Sequence, residues 1–328
     1  MTILTSDNLL LSRPKNEGEI TPDTTKIICN PAVPVTVGDY IRESLAPNTR
    51  AAYLADLVHF ENWGGRIPAE SETVAAYLAA HADALSIATL NRRLAALAKV
   101  HRSHGMANPT SSELVKSVLQ GLKRVKGIAQ RQAKPLLKED LIFALDAIGE
   151  GLRDLRDRAL LLIGFAGGFR RSELVSLSFG DVERVRQGMI LTLRRSKTDQ
   201  NAEGRRIGIP LARGRWCPVG ALELWLARSG IMEGALLRPI DRHGRMGEKP
   251  LSAEAVCLVV KERVRRAGLD PYGYSGHSLR AGLATSAAQG GVSTRKIRQQ
   301  TGHASDAMLA RYIRDGELFR DNAAGALL

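Results

Sequence analysis

Six residues in the second half of the chain have types and spacings suited to phosphate chemistry. Tyr312 follows His303 by nine positions, and His303 follows Arg280 by twenty-three. Arg280 closes the run Gly276-His277-Ser278-Leu279-Arg280, and a second arginine lies far upstream in Gly168-Phe169-Arg170-Arg171-Ser172-Glu173-Leu174. Two guanidinium forks can clamp a phosphate through charge-assisted hydrogen bonds. Histidines move protons near neutral pH, and a tyrosine can act as a covalent nucleophile. A phenol titrates near ~10, so it attacks only when a base takes its proton and cations steady the phenolate. The set can hold a phosphodiester and attack it with a phenol. Arg170 and Glu173 are three apart, as are His277 and Arg280, so on a helix each pair shares a face. Taken singly, the first pair reads as a surface ion pair and the second as a core histidine beside a surface arginine. The ordered set is what makes the chemical reading specific.

These motifs resemble the tyrosine recombinase (phage integrase) family, with a Cre/Xer-like order. The matching runs are Gly-Phe-Arg-Arg-Ser-Glu-Leu at 168–174, Arg-Ser-Lys-Thr at 195–198, His-Ser-Leu-Arg at 277–280, Gly-His at 302–303 and Ala-Arg-Tyr-Ile at 310–313. The resemblance runs from about Thr36 onward. It implies that Arg170 and Arg280 ligate the phosphate, Glu173 supports them, and Tyr312 is the nucleophile. It further implies that His277 and His303 serve the proton and the phosphate oxygens, and that Lys197 protonates the leaving 5′ oxygen. Arg194 and Arg195 compete with Lys197 for that last role. Cre-like members carry tryptophan where this chain has His303. The implied reaction is site-specific breakage and rejoining of duplex DNA through a 3′-phosphotyrosyl link, by a homotetramer on inverted-repeat sites. The link conserves the bond energy, so no ATP is expected. Two other readings share the residues: a type IB topoisomerase, and a DNA-binding protein that keeps the fold without the chemistry.

The bulk properties agree. The 328 residues suffice for two cores, and the net charge of +13 points to a polyanionic partner. Residues 48–135 carry a net +6 and residues 136–328 a net +9, so both segments are expected to face DNA. Three scattered cysteines suit a reducing cytosol and give neither a disulfide framework nor a zinc site. With no signal-peptide pattern and no long apolar run, a cytoplasmic, nucleoid-associated protein of prokaryotic, phage or plasmid origin is expected. No acidic or histidine cluster has metal-ligand spacing, and no P-loop is present, so no cofactor is expected. The sequence names neither accessory proteins nor the DNA site.

The elements that must position these residues follow from periodicity. Residues 1–35 are polar and proline-bearing and read as a disordered or extended segment. Residues 36–126 read as a four-helix DNA-binding bundle: Tyr53, Leu57 and Phe60, then Val74, Tyr77 and Leu78, then Leu90, Leu94 and Leu97, then Leu114, Val118 and Leu122. Ser71, Ser86 and Ser112 are candidate caps. Residues 127–135 read as a linker. Residues 136–328 read as a mixed α/β catalytic domain: helices at 138–149, 154–166, 218–229, 252–267, 277–289, 293–300 and 305–313, a hairpin of 189–194 with 205–211, and a C-terminal docking tail at 318–328. The fold class is therefore mainly α with a small β-sheet. By resemblance, the two parts form a C-shaped clamp on DNA. Basic residues at helical spacing, Arg92, Lys99 and Arg102, then Lys116, Lys123 and Lys126, are candidate DNA contacts, as are Arg131 and Lys134 in the linker.

Overall fold

The computed structural model describes residues 44–127, 133–194, 204–317 and 327. Expectations for residues 1–35, Arg131, Lys197 and, apart from Leu327, the tail at 318–328 fall outside the described residues. The chain divides into two compact units, residues 1–131 and 132–328.

The first unit holds α1 (Pro47–Asn62), α2 (Ser71–Ala80), α3 (Ile87–Ser103) and α4 (Glu113–Lys126). Leu57, Phe60, Val74, Tyr77, Leu78, Leu90, Leu94 and Leu97 form its core, as their helical spacing requires. Ser86 and Ser112 cap α3 and α4 by accepting from Thr89 N and Val115 N at 3.1 and 3.3 Å. Ser71 is no cap: it is the first residue of α2, and its hydroxyl donates to Pro109 O at 3.3 Å. Leu114 faces solvent, and Val115 takes the inward place, because Val115, Val118, Leu119 and Leu122 make the continuous stripe.

The second unit carries α5 (Lys138–Asp146), α6 (Leu152–Ala166) and the short α7 (Arg171–Ser176), then β1 (Val182–Val185), β2 (Gly188–Leu193) and β3 (Arg205–Pro210). There follow α8 (Pro218–Ser229), α9 (Ala253–Arg266), α10 (Ser278–Gln289), α11 (Thr294–Thr301) and α12 (Asp306–Glu317). The sheet is antiparallel in the order β1-β2-β3, with Leu191 opposite Ile207 and Leu193 opposite Arg205. The expected hairpin is β2 with β3; β1 adds a third strand. Met189, Leu191 and Leu193 alternate inward and meet Ile207 and Ile209 in a core that also holds α6 and Trp225 of α8. A smaller cluster of Ala284, Ala288, Ile297 and Leu309 joins α10, α11 and α12, and Tyr312 packs against it. That cluster sets where the Tyr312 helix lies relative to the His277–Arg280 segment.

Candidate active site

Three turns and a helix bring the expected residues together. Gly168 adopts φ +57°, where a side chain is strained, and an added Cβ would press on Leu283 and Thr301. The chain thus turns sharply before Arg170. Arg170 does not lie inside a helix, as a shared helical face would require; it is the extended residue that precedes α7. The pairing with Glu173 survives because Glu173 is the third residue of that helix. Its carboxylate accepts from Arg170 N at 2.9 Å and from Arg170 Nη1 at 2.5 Å. Glu173 is almost wholly buried, so it fixes the arginine in both backbone and side chain.

Arg280 is 1% exposed, and no carboxylate among the described residues forms an ion pair with it. Its Nη1 donates to the carbonyls of Gly168, at 2.8 Å, and Thr301. Its Nε and Nη2 are buried without a hydrogen-bond partner. Burial, then the charge of Arg170, lowers its pKa to about 10. A buried guanidinium with two such nitrogens can donate charge-assisted hydrogen bonds to an anion.

His277 immediately precedes α10, and its Nε2 lies 2.7 Å from the Tyr312 hydroxyl. Desolvation, then the charges of Arg280 and Arg170, lower its pKa. The shift favours the neutral ring, whose Nε2 can accept the phenol proton. Tyr312 is half-buried in α12, which runs on to Glu317, farther than expected. Ser305 caps that helix by accepting from Met308 N at 3.3 Å.

His303 is 5% exposed, with its ring centroid 5.7 Å from that of Tyr312. Thr301 Oγ1 donates its only hydrogen to Ile297 O at 2.7 Å, so His303 Nδ1, also 2.7 Å from Oγ1, must be the donor in that contact. This assigns the tautomer: Nε2 carries no proton in the neutral ring. Burial, then Arg280, Arg170, His277 and Arg205, lower the His303 pKa to about 3.

Arg205 was not among the sequence candidates. It opens β3, lies mostly buried, and places Nη2 3.7 Å from Glu173 Oε2 while Nη1 donates to Gln300 O at 3.1 Å. One signal could have found it: a charged residue in register with the inward-facing Ile207 and Ile209. Lys197 lies in the segment between β2 and β3, outside the described residues. Among the described residues no three His, Cys, Asp or Glu gather as metal ligands, and no helix is long and apolar enough to cross a membrane.

The basic stripes of the bundle differ in how free they are. Arg92 makes a fork to Asp56, with both contacts at 2.8 Å, and Lys126 donates to Ala82 O and, at 3.4 Å, Leu85 O. Arg102 and Lys116 are exposed, and Lys99 and Lys123 are half-buried. In the second unit, Lys134 lies 5.0 Å from the centroid of the Tyr274 ring.

Comparison with known proteins fits this geometry. Residues 134–317 match the phage integrase family. An integrase/recombinase XerD homolog of Selenomonas ruminantium is 39% identical over 293 residues, covering 86% of this chain and 86% of its own. The fold matches XerH recombinase bound to a palindromic difH substrate in a post-cleavage complex, with a TM-score of 0.65 at 17% identity over 88% of this chain and 82% of that one. It also matches a lambda integrase tetramer bound to a Holliday junction, with a TM-score of 0.59 at 19% identity over 85% and 75% of the two chains. With a family match over more than half of the sequence and a relative this similar along most of its length, the chain belongs to the phage integrase family and is a tyrosine-type DNA integrase/recombinase.

Proposed function

We propose that this protein is a site-specific recombinase that cuts and rejoins duplex DNA through Tyr312, with neither metal nor ATP. The observation that carries the reading is the 2.7 Å contact between His277 Nε2 and the Tyr312 hydroxyl, beside the unused donors of Arg280. In the cleavage step, Tyr312 gives its proton to His277 Nε2 and its oxygen bonds to phosphorus. The bond from phosphorus to the 5′ oxygen breaks, leaving a 3′-phosphotyrosyl link. Lys197 supplies the proton that turns the leaving oxygen into a 5′-hydroxyl. A 5′-hydroxyl from a partner duplex then reverses the step. Arg170 and Arg280 balance the charge on the non-bridging oxygens, and Glu173 aims Arg170. The phosphate's negative charge raises the proton affinity of His303, so that ring gains a proton with its ligand and donates through Nε2.

Residues 36–126 serve as the core DNA-binding domain, 127–135 as the linker and 136–328 as the catalytic domain. Lys99, Arg102, Lys116 and Lys123 provide phosphate contacts, with lesser shares from Arg92, Lys126, Arg131 and Lys134. Four copies assemble on paired inverted-repeat sites, in the cytoplasm and on the nucleoid. An apolar groove of roughly 690 Å³, lined by Leu141, Leu145, Phe165, Trp216, Leu283 and Ile297, supports that assembly. Its occupant is the 318–328 tail of a neighbouring copy, whose Leu318, Phe319, Leu327 and Leu328 are apolar, and Leu327 is 85% exposed.

A supercoiled plasmid tests the reading. It carries two copies of a duplex selected by the protein from a random pool, and the reaction runs with EDTA and without ATP. Recombinant circles are expected. Relaxation without exchange would mark a topoisomerase, and binding without either would mark a non-catalytic protein.

A further inference from the structure

We propose that Arg205 is a positioning residue of this site, tying the strand after the β2–β3 connection to Glu173 and the Gly302 corner so that Arg170 and His303 converge on one phosphate. The inference rests on the recombinase reading above and adds a third arginine to its machinery.

The strand register poses the question. Arg205, Ile207 and Ile209 share the inward face of β3, where an arginine is expensive to desolvate. Its neighbour Arg206 shows the ordinary outcome: it faces out and pairs with Glu183 at 2.6 Å. Arg205 has no such carboxylate to itself. Glu173 Oε2, 3.7 Å from Arg205 Nη2, already accepts from Arg170 N, and Nη2 is buried without a hydrogen-bond partner. The guanidinium is thus held by charge to Glu173 and by one hydrogen bond to Gln300 O.

It also shapes the turn that delivers His303. Gly302 adopts φ +68°, and an added Cβ would overlap the Arg205 guanidinium. The backbone conformation favours glycine, and the Arg205 guanidinium lies where a side chain would project. Gln300 reinforces the same joint, with Nε2 donating to Ala166 O at 2.8 Å and to Gly208 O at 3.1 Å. One edge of β3, the end of α11, Glu173 and the His303 turn are therefore one connected piece. Arg205 also helps to depress the proton affinities of His303 and Arg280, so its removal has an electrostatic signature that lost packing lacks.

Single-turnover capture on the selected duplex, nicked to trap the adduct, tests the proposal with Arg205→Met and Arg205→Lys. Arg205→Met is expected to slow capture by about 10²-fold, the usual effect of a misplaced constellation, with half-site Kd changed less than ~3-fold. Arg205→Lys keeps the charge and is expected to recover about 10-fold of that loss. The His303 ring, followed by NMR, is expected to titrate at higher pH in Arg205→Met than in wild type, and near the wild-type value in Arg205→Lys. Wild-type capture by Arg205→Met, or an unmoved His303 titration, overturns the proposal. Capture that falls only in step with the folded fraction, equally in both variants, also overturns it, since that marks a structural role. If wild type itself traps no adduct, the recombinase reading has failed and the role of Arg205 falls with it.

Discussion

Two buried charge clusters lie in the second unit, and they differ in one respect. In the first, Asp157 accepts from Arg156 Nη2 at 2.6 Å and from Arg263 Nε and Nη2 at 2.8 and 2.6 Å, while Asp154 meets Arg263 at 2.7 Å. Two arginines face two carboxylates. In the second, Arg170, Arg205 and Arg280 surround Glu173 alone; a buried guanidinium nitrogen lacks a hydrogen-bond partner in both clusters, on Arg263 as on Arg205 and Arg280, so the difference lies in the charge count. A balanced cluster holds helices together. On the proposed reading, the surplus positive charge of the other cluster is met by a phosphodiester passing to its transition state.

Breaking the balanced cluster gives the largest expected effect, and it falls on stability. Asp157→Ala strands Arg156 without a carboxylate and leaves Arg263 only Asp154, so unfolding free energy is expected to drop by about 3–5 kcal/mol. Denaturant melts measure this, and capture per folded molecule should stay within a few-fold of wild type. Breaking the unbalanced cluster reverses the pattern. Arg280→Ala is expected to slow covalent capture by about 10²–10³-fold with little loss of stability or DNA affinity. Equal stability losses in the two variants would erase the distinction.

Acid sharpens the same contrast. On the proposed mechanism His277 accepts the phenol proton as a neutral ring, and its pKa is lowered from 6.5, so capture should hold through neutral pH and fall only below that value. His303 titrates near 3 in the folded chain against 6.5 when unfolded, so the unfolded chain binds more protons between those values. Its contribution to stability is full above pH 6.5 and is lost as pH falls toward 3. His59 has the same sign, from desolvation and Arg93. His303→Gln is therefore expected to make the melting temperature less acid-sensitive in that window without abolishing the trend.

The smallest effect concerns the bundle. Removing Lys99 and Arg102 together should flatten the log Kd against log salt slope by about 2 units, whereas Arg92, forked to Asp56, should change it by less than ~1. An unchanged slope for Lys99 and Arg102 would make that face merely solvated.

Most helices were legible in the sequence because they bury one stripe, α6 because it is a Leu- and Ile-rich run buried on every face from Leu155 to Gly164, and the hairpin because β2 and β3 alternate. Four-residue β1 was too short to show a period. Leu114 and Val115 were misjudged by one position, since adjacent apolar residues leave the stripe ambiguous until the packing partner is known. At the site, the motif residues were legible as residue types in order. Their geometry was not: Arg170 precedes its helix, the His303 tautomer depends on Thr301, and Arg205 is drawn in by Glu173, 32 positions upstream. These are tertiary facts that no local spacing encodes.

The central claim is that the unbalanced cluster serves a phosphate attacked by Tyr312. Trapping the protein on the nicked duplex, digesting it and sequencing the DNA-linked peptide by mass spectrometry tests this most directly. The account predicts a single adduct on the Tyr312 oxygen, lost in Tyr312→Phe while DNA binding remains. An adduct on any other residue, or one that persists in Tyr312→Phe, would contradict it.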